Sequence, residues 1–193
     1  MIIYLARHGQ TTGDIEDRYG GDYDDHLTEV GKQQSAQLAE KLANKKIEQL
    51  FASPRIRAQE TAAIIAERLG LVATTLDEFR ERNGYGILTG MTKEEAIKQH
   101  PDQVELLKDV HNAVDGAEEY KSFQQRITSA LEAVSEEPSE RIAVITHGGP
   151  IRLIFRDILK LGEIEVRDCA YAAINASGGN YKAVELEGIQ IKG

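Results

Sequence analysis

Two His-Gly pairs, each closing an apolar run, are the best-placed chemical residues in this 193-residue chain. The first is in "LARHGQT" (5–11), where Arg7, His8 and Gly9 follow "IYLA"; the second is in "AVITHGG" (143–149), with His147, Gly148 and Gly149. An arginine is costly to bury, and a core gains nothing from a charged residue at a strand end. Such a cluster suits phosphorus chemistry. A histidine attacks phosphorus when one ring nitrogen is unprotonated and the other is held by a hydrogen bond. Nearby cations lower its pKa and favour that neutral form. Phosphoryl transfer asks the protein mainly to position the group and neutralise its oxygens, and the planar fork of arginine grips two oxygens at once. On this reading His8 attacks, Arg7, Arg57 and His147 clamp, and backbone N–H groups at Gly9 and Gly148-Gly149 approach closely because no Cβ intervenes. The leaving alkoxide needs a proton, and Glu81, in "DEFRERNGYG" (77–86), lies on a separate segment that can supply it.

These residues work only if the chain brings them to one place. "MIIYLA" reads as a buried strand, and "TEVGKQQSAQLAEKLAN" (28–44) as an amphipathic helix capped by Thr28. "IEQLFASP" reads as a strand closed by Ser53-Pro54, and "RIRAQETAAIIAERLG" as a helix stopped by Gly70. "LVATTLDEF" is a third expected strand and "YGILTG" a loop. "MTKEEAIKQH" and "EEYKSFQQRITSALEAVSEE" read as helices, "RIAVITHGG" as a buried strand and "PIRLIFRDILKLG" as one helix after it. "YAAINASGGNYKAVELE" is a hairpin about "SGGN". Alternating strands and helices imply crossover units, a mostly parallel sheet and helices on both faces. Ligands of such sheets lie beyond the carboxyl ends of the strands. That edge collects the loops after "IYLA", "LFAS" and "AVIT", and with them Arg7, His8, Arg57 and His147.

Composition narrows the choice. Hydrophobic residues make up 41% of the chain, charged residues 28%, and the formal net charge is −9. This balance fits a globular protein and argues against coating nucleic acid or an anionic membrane. One cysteine, Cys169, excludes an internal disulfide framework and any multi-cysteine metal site. The apolar start is too short for a signal-peptide core or a membrane span, so a cytoplasmic location is expected. No linker or repeat interrupts the chain, so a single domain over 1–193 is expected. "GDYDDH" (21–26) invites a metal reading, although carboxylates in a loop without a fixed ligand frame are a weak one. Its acidity disfavours a highly charged polyphosphate substrate. Arg55 reads as solvated, and Arg18, Arg82 and Arg152 as possible contacts for the non-phosphate part of a substrate.

"RHGQT" (7–11), "LTEVGKQQ" (27–34), "ASPRIRAQETA" (52–62), "FRERNGYGILTG" (79–90), "GAEEYKSFQQRI" (116–127) and "VITHGGPIR" (144–152) resemble, in order, the motifs of the histidine phosphatase superfamily. The resemblance spans about residues 1–160. It implies the phosphoglycerate-mutase-like fold, a three-layer α/β/α sandwich, and no metal or other cofactor. It further implies His8 as nucleophile, Arg7 and Arg57 as phosphate clamps, His147 as second histidine and Glu81 as proton donor. Two positions depart from the pattern. Asp14 stands where the family has an asparagine three residues past the threonine; a carboxylate there repels phosphate unless protonated or turned away. "ERNGYGILTG" is one residue longer than the family's spacing. The resemblance leaves three functions: a phosphomonoester hydrolase for a small phosphorylated metabolite, a cofactor-dependent phosphoglycerate mutase, or a non-catalytic binding module on the same fold. The sequence ends with "YKAVELEGIQIKG" (181–193), which leaves few residues for the water-excluding lid of the longer mutases and favours the hydrolase. A homodimer is left open.

Overall fold

A computed structural model describes residues 1–192. In chain order the elements are β1 (Ile2–Arg7), a one-turn α1 (Thr12–Ile15), α2 (Glu29–Ala43), β2 (Gln49–Ala52), α3 (Ile56–Leu69) and β3 (Ala73–Thr75). There follow α4 (Lys93–Gln99), α5 (Pro101–Leu106), α6 (Tyr120–Ser135), β4 (Arg141–Thr146), α7 (Gly148–Leu153), β5 (Ile164–Ser177) and β6 (Asn180–Ile191).

The period-2 alternation of β1 sets the two sides of the molecule. Ile3 and Leu5 enter the core beneath α6 and α7, with Phe123, Ile127, Leu131 and Ile151. Tyr4 and Ala6 enter the opposite core with Leu38 and Leu42 of α2 and Ala58, Ala62 and Ile65 of α3. In β4, Ile142 and Val144 face the first core while Ala143 and Ile145 face the second. Strands buried on both faces read as unbroken apolar runs, which is why both were legible. The six strands lie in the order β3-β2-β4-β1-β5-β6. β1, β2, β3 and β4 are mutually parallel, and β5 and β6 form an antiparallel hairpin against β1. This is the α/β/α sandwich with a mostly parallel sheet.

The helix signals behave as their chemistry requires. Thr28 Oγ1 accepts the Gly31 N–H at 3.0 Å to start α2, and Gly70, at φ 67°, ends α3 in the left-handed conformation. Three expectations change. "LVATTLDEF" pairs only through Ala73–Thr75, on the sheet edge, and turns into a 3₁₀ turn at Asp77–Phe79. "PIRLIFRDILKLG" is not one uniform helix, because α7 opens into a π-type turn at Ile154–Ile158. The last hairpin begins earlier than "YAAINA", at Ile164, and β5 carries a bulge between Val166 and Tyr171. A small third cluster, Leu88, Ala96 and Val114, packs the segment that includes α4 and α5. Among the described residues no helix is long and apolar enough to cross a membrane.

Candidate active site

Parallel pairing places the two histidines side by side. Arg7 is in register with Thr146, so the residues that follow, His8 and His147, leave adjacent strand ends together. Their ring centroids lie 5.1 Å apart, in an edge-on arrangement. β2, the next strand over, brings Ser53 beside them, its N–H donating to the Ile145 carbonyl at 2.8 Å.

The state of His8 is set by its two nitrogens. Nδ1 lies 2.8 Å from the Gly9 carbonyl, to which it can only donate, so in the neutral ring Nε2 carries the lone pair. Arg57 Nε points at that Nε2 from 3.1 Å. Burial, then the charges of Arg57 and Arg7, hold the His8 pKa well below the ordinary value of 6.5. The neutral ring required of a nucleophile is therefore the resting form.

His147 is the complement. Its Nε2 is 2.7 Å from Ser53 Oγ, which already accepts the Arg55 N–H at 3.3 Å and has no other acceptor for its own proton. Ser53 thus donates to Nε2, and the His147 proton resides on Nδ1, a buried donor without a partner. Burial, then Arg57 and His8, keep this ring neutral as well. A buried, unsatisfied N–H costs free energy until an acceptor arrives, and a phosphate oxygen is one.

Arg7 and Arg57 are both fixed by carboxylates. Arg57, at the start of α3 and only 4% exposed, donates to Asp25 Oδ1 at 3.0 Å, to the Tyr23 carbonyl at 2.5 Å and to the Gly21 carbonyl at 3.0 Å. Arg7 donates to the Val166 carbonyl at 2.9 Å and pairs with Asp168 at 3.1 Å and Asp14 at 3.5 Å. Asp14 is turned toward Thr11, whose N–H and O–H its Oδ2 accepts at 2.8 and 2.9 Å. Burial raises the Asp168 pKa, an effect Arg7 opposes.

Glu81 reaches the pocket that Arg7, His8, Arg57 and Gly148 line. Its Oε2 accepts the Gly149 N–H at 3.0 Å and its Oε1 the Arg82 N–H at 2.8 Å. A Cβ on Gly149 would fall 1.9 Å from Oε1, so the carboxylate fits only over a glycine. Thr146 Oγ1 donates to the Phe79 carbonyl at 2.6 Å, tying the Glu81 segment to the end of β4. The pocket so formed has a volume of about 170 Å³.

Of the sequence-derived site, Arg7, His8, Arg57, Glu81, His147 and Gly148 are brought together. Gly9 is not a phosphate-facing amide. Its N–H donates to Thr61 Oγ1 at 3.2 Å, and its missing Cβ admits the Gly31 carbonyl, which would lie 2.4 Å from that atom. "GDYDDH" offers no open ligand set either. Asp22 and Asp24 pair with Arg55, Asp25 with Arg57, and His26 with Glu60. Arg55 is consequently an ion-paired residue, and the loop's acidity is neutralised locally rather than turned on a substrate. Among the described residues no group of three or more His, Cys, Asp or Glu is placed to hold a metal ion. Sequence reasoning missed Asp25, Asp168, Thr61 and the part Ser53 plays in fixing His147. Asp168 gave no local signal, since its partner lies at the other end of the chain.

Several known proteins are similar to this chain. "Phosphoglycerate mutase-like protein 4" of Arabidopsis thaliana is 35% identical over 159 residues, 79% of this chain and 69% of that protein. "Uncharacterized phosphatase PhoE" of Bacillus subtilis is 29% identical over 157 residues, 81% of this chain and 76% of that one. The mycobacterial glucosyl-3-phosphoglycerate phosphatase complexed with VO3 has the same fold, with a TM-score of 0.83 at 24% identity, covering 97% of this chain and 98% of its own. The model of the histidine phosphatase superfamily (branch 1) matches residues 3–187, nearly the whole chain, and to that superfamily this protein belongs.

Proposed function

We propose that this protein is a phosphomonoester hydrolase acting on a small phosphorylated metabolite through a phosphohistidine formed on His8. The observation that carries the proposal is the His8 ring: Nδ1–H taken by the Gly9 carbonyl, Nε2 unprotonated inside a buried, arginine-walled pocket. On substrate entry a phosphate oxygen takes over the hydrogen bond from Arg57 Nε, and Nε2 turns its lone pair to phosphorus. The N–P bond forms as the ester P–O bond breaks. Glu81 serves as the general acid and gives a proton to the departing oxygen. Arg7, Arg57 and the free Nδ1–H of His147 hold the three equatorial oxygens. Water then attacks the phosphorus, losing a proton to Glu81, and the N–P bond breaks to restore His8 and release inorganic phosphate.

The likeness to a mutase-like protein at 35% identity favours a second reading. In it the phosphoryl group returns from His8 to a bound sugar acid instead of to water. One experiment separates the two. Rapid mixing with an alkyl phosphate and an alkaline quench, which preserves phosphohistidine, should show phosphate on His8 by mass spectrometry, and inorganic phosphate should accumulate with every turnover. Label on His147 or on a carboxylate overturns the assignment of the nucleophile. Isomerised phosphoester without inorganic phosphate turns the reading to a mutase.

A further inference from the structure

The ester's alcohol half must leave on the side of phosphorus opposite His8, and a second cavity adjoins the phosphate pocket at Glu81, the residue proposed to meet the departing oxygen. Its volume is about 350 Å³, and it shares Glu81, Tyr85 and Arg152 with the phosphate pocket. Leu107 and Phe123 give it an apolar wall.

Charge accounting across the two pockets singles out one residue. Six arginines line them, and five are held by neighbours. Arg7 faces Asp168, Arg57 faces Asp25, and Arg18 pairs with Glu16. Arg82 donates to the carbonyls of Glu118, Val110 and Asn112, and Arg156 is tied to Tyr120, Asp157 and Glu163. The Arg152 side chain alone has neither an ion-pair partner nor a hydrogen bond among the described residues. Its Nη1 lies 2.8 Å from where a Cβ on Gly148 would stand, so the guanidinium rests across the first turn of α7, at the opening between the pockets. Besides Glu81, the cavity's one carboxylate is Asp109, which already accepts from the N–H and ring of His111 at 2.9 and 3.0 Å. A half-buried guanidinium with no ion-pair partner has donors to spare, and an anion that fits its fork would engage them.

We infer that Arg152 and this cavity form a subsite for a second anionic group, a carboxylate or second phosphate, carried on the alcohol half of the substrate. The inference rests on the phosphatase reading for its direction, with the alcohol in the cavity and Glu81 at the junction. It adds the substrate class: a small phosphate monoester with a further acidic group near the ester oxygen, and hydrocarbon or ring surface to lie on Tyr85, Leu107 and Phe123.

The test compares substrates that differ by that group: 3-phosphoglycerate against glycerol 3-phosphate, and fructose 1,6-bisphosphate against fructose 1-phosphate. Wild type should favour the acidic member of at least one pair in kcat/KM. Arg152→Gln should reduce that preference on the order of 10–100-fold, the usual worth of a charge-assisted hydrogen bond, mostly through KM, and Arg152→Lys should keep part of it. Equal losses on acidic and neutral members mean that Arg152 serves the transferred phosphate, and the subsite is overturned; so does an absent preference in wild type. Calorimetry on His8→Ala and His8→Ala/Arg152→Gln provides an arm independent of turnover. Tighter binding of 3-phosphoglycerate than of glycerol 3-phosphate, lost in the double variant, supports the subsite even if wild type hydrolyses no monoester, an outcome that would sink the phosphatase reading alone. Equal binding of both ligands to His8→Ala overturns the subsite.

Discussion

At the residue scale, protonation decides the site. His8 and His147 are held below 6.5, chiefly by burial and secondarily by the Arg57 guanidinium, so both are neutral in the native state. In the unfolded chain they titrate near the ordinary imidazole value. As pH falls below about 6.5 the unfolded chain therefore binds protons that the native protein refuses, and stability declines with it. The stabilisation is fully present above that pH and drains away through the window down to the native pKa values. The melting temperature should fall as pH is lowered from 7 toward 5.5, and His8→Gln should flatten that slope by removing one of the two rings. Activity follows the native pKa instead. The acid limb of kcat/KM should have its midpoint below pH 6.5, and a midpoint at or above it would contradict a neutral resting His8.

Elements explain why two glycines that do not face the phosphate pocket matter, and how much of the site the sequence could disclose. A Cβ on Gly31 would stand 2.1 Å from the Gln10 carbonyl, a backbone atom that cannot turn aside. The loop bearing His8 and the first turn of α2 fit only if both Gly9 and Gly31 lack side chains. Gly31→Ala should cost about 1–3 kcal/mol of stability, the usual range for overpacking, and should lower kcat although residue 31 touches no substrate. Denaturant unfolding and steady-state kinetics on the same preparation check both. β1 and β4 were legible because each is a continuous apolar run with a His-Gly at its end. β5 was legible only from Tyr171 onward. Its first half, "IEVRDCA", loses strand periodicity at the bulge, where Cys169 adopts φ 54°. That irregular stretch aims Asp168 at Arg7 and the Cys169 N–H at the His8 carbonyl, 3.1 Å away. α1 and α5, four and six residues long, are too short for a periodic signal.

For the whole molecule, the net charge of −9 conceals a site built by pairing cations with carboxylates rather than by concentrating positive charge. The anion-binding groups proposed here are guanidinium forks and an imidazole N–H, none of which depends on a divalent ion. Hydrolysis of a phosphate monoester should therefore survive EDTA at full rate. Loss of activity in chelator, restored by added divalent cation, would return attention to Asp22, Asp24 and Asp25. Three of the motifs, "RHGQT", "ASPRIRAQETA" and "VITHGGPIR", were readable as a set because each sits where a parallel strand stops. The cavity beside the phosphate pocket was not, since Tyr85, Leu107, Phe123 and Arg152 come from four separate segments that only tertiary folding unites.

The position of β1 bears on how the protein comes into being. This strand leads into His8, the proposed nucleophile, yet its two neighbours are β4 and β5, formed by residues 141–146 and 164–177. A ribosome releases the chain from its first residue onward, so "RHGQT" emerges long before anything exists for it to pair with. β2, α3 and β3 can assemble during translation while the strand that matters most waits. Sheets closed by such distant partners fold slowly, and the exposed apolar run of β1 is a natural client for a chaperone in that interval. A message cut just ahead of the codon for Ile164 would still encode all six recognisable motifs, yet its product should be inactive, because Asp168 and the amide of Cys169, which support Arg7 and His8, would never be made.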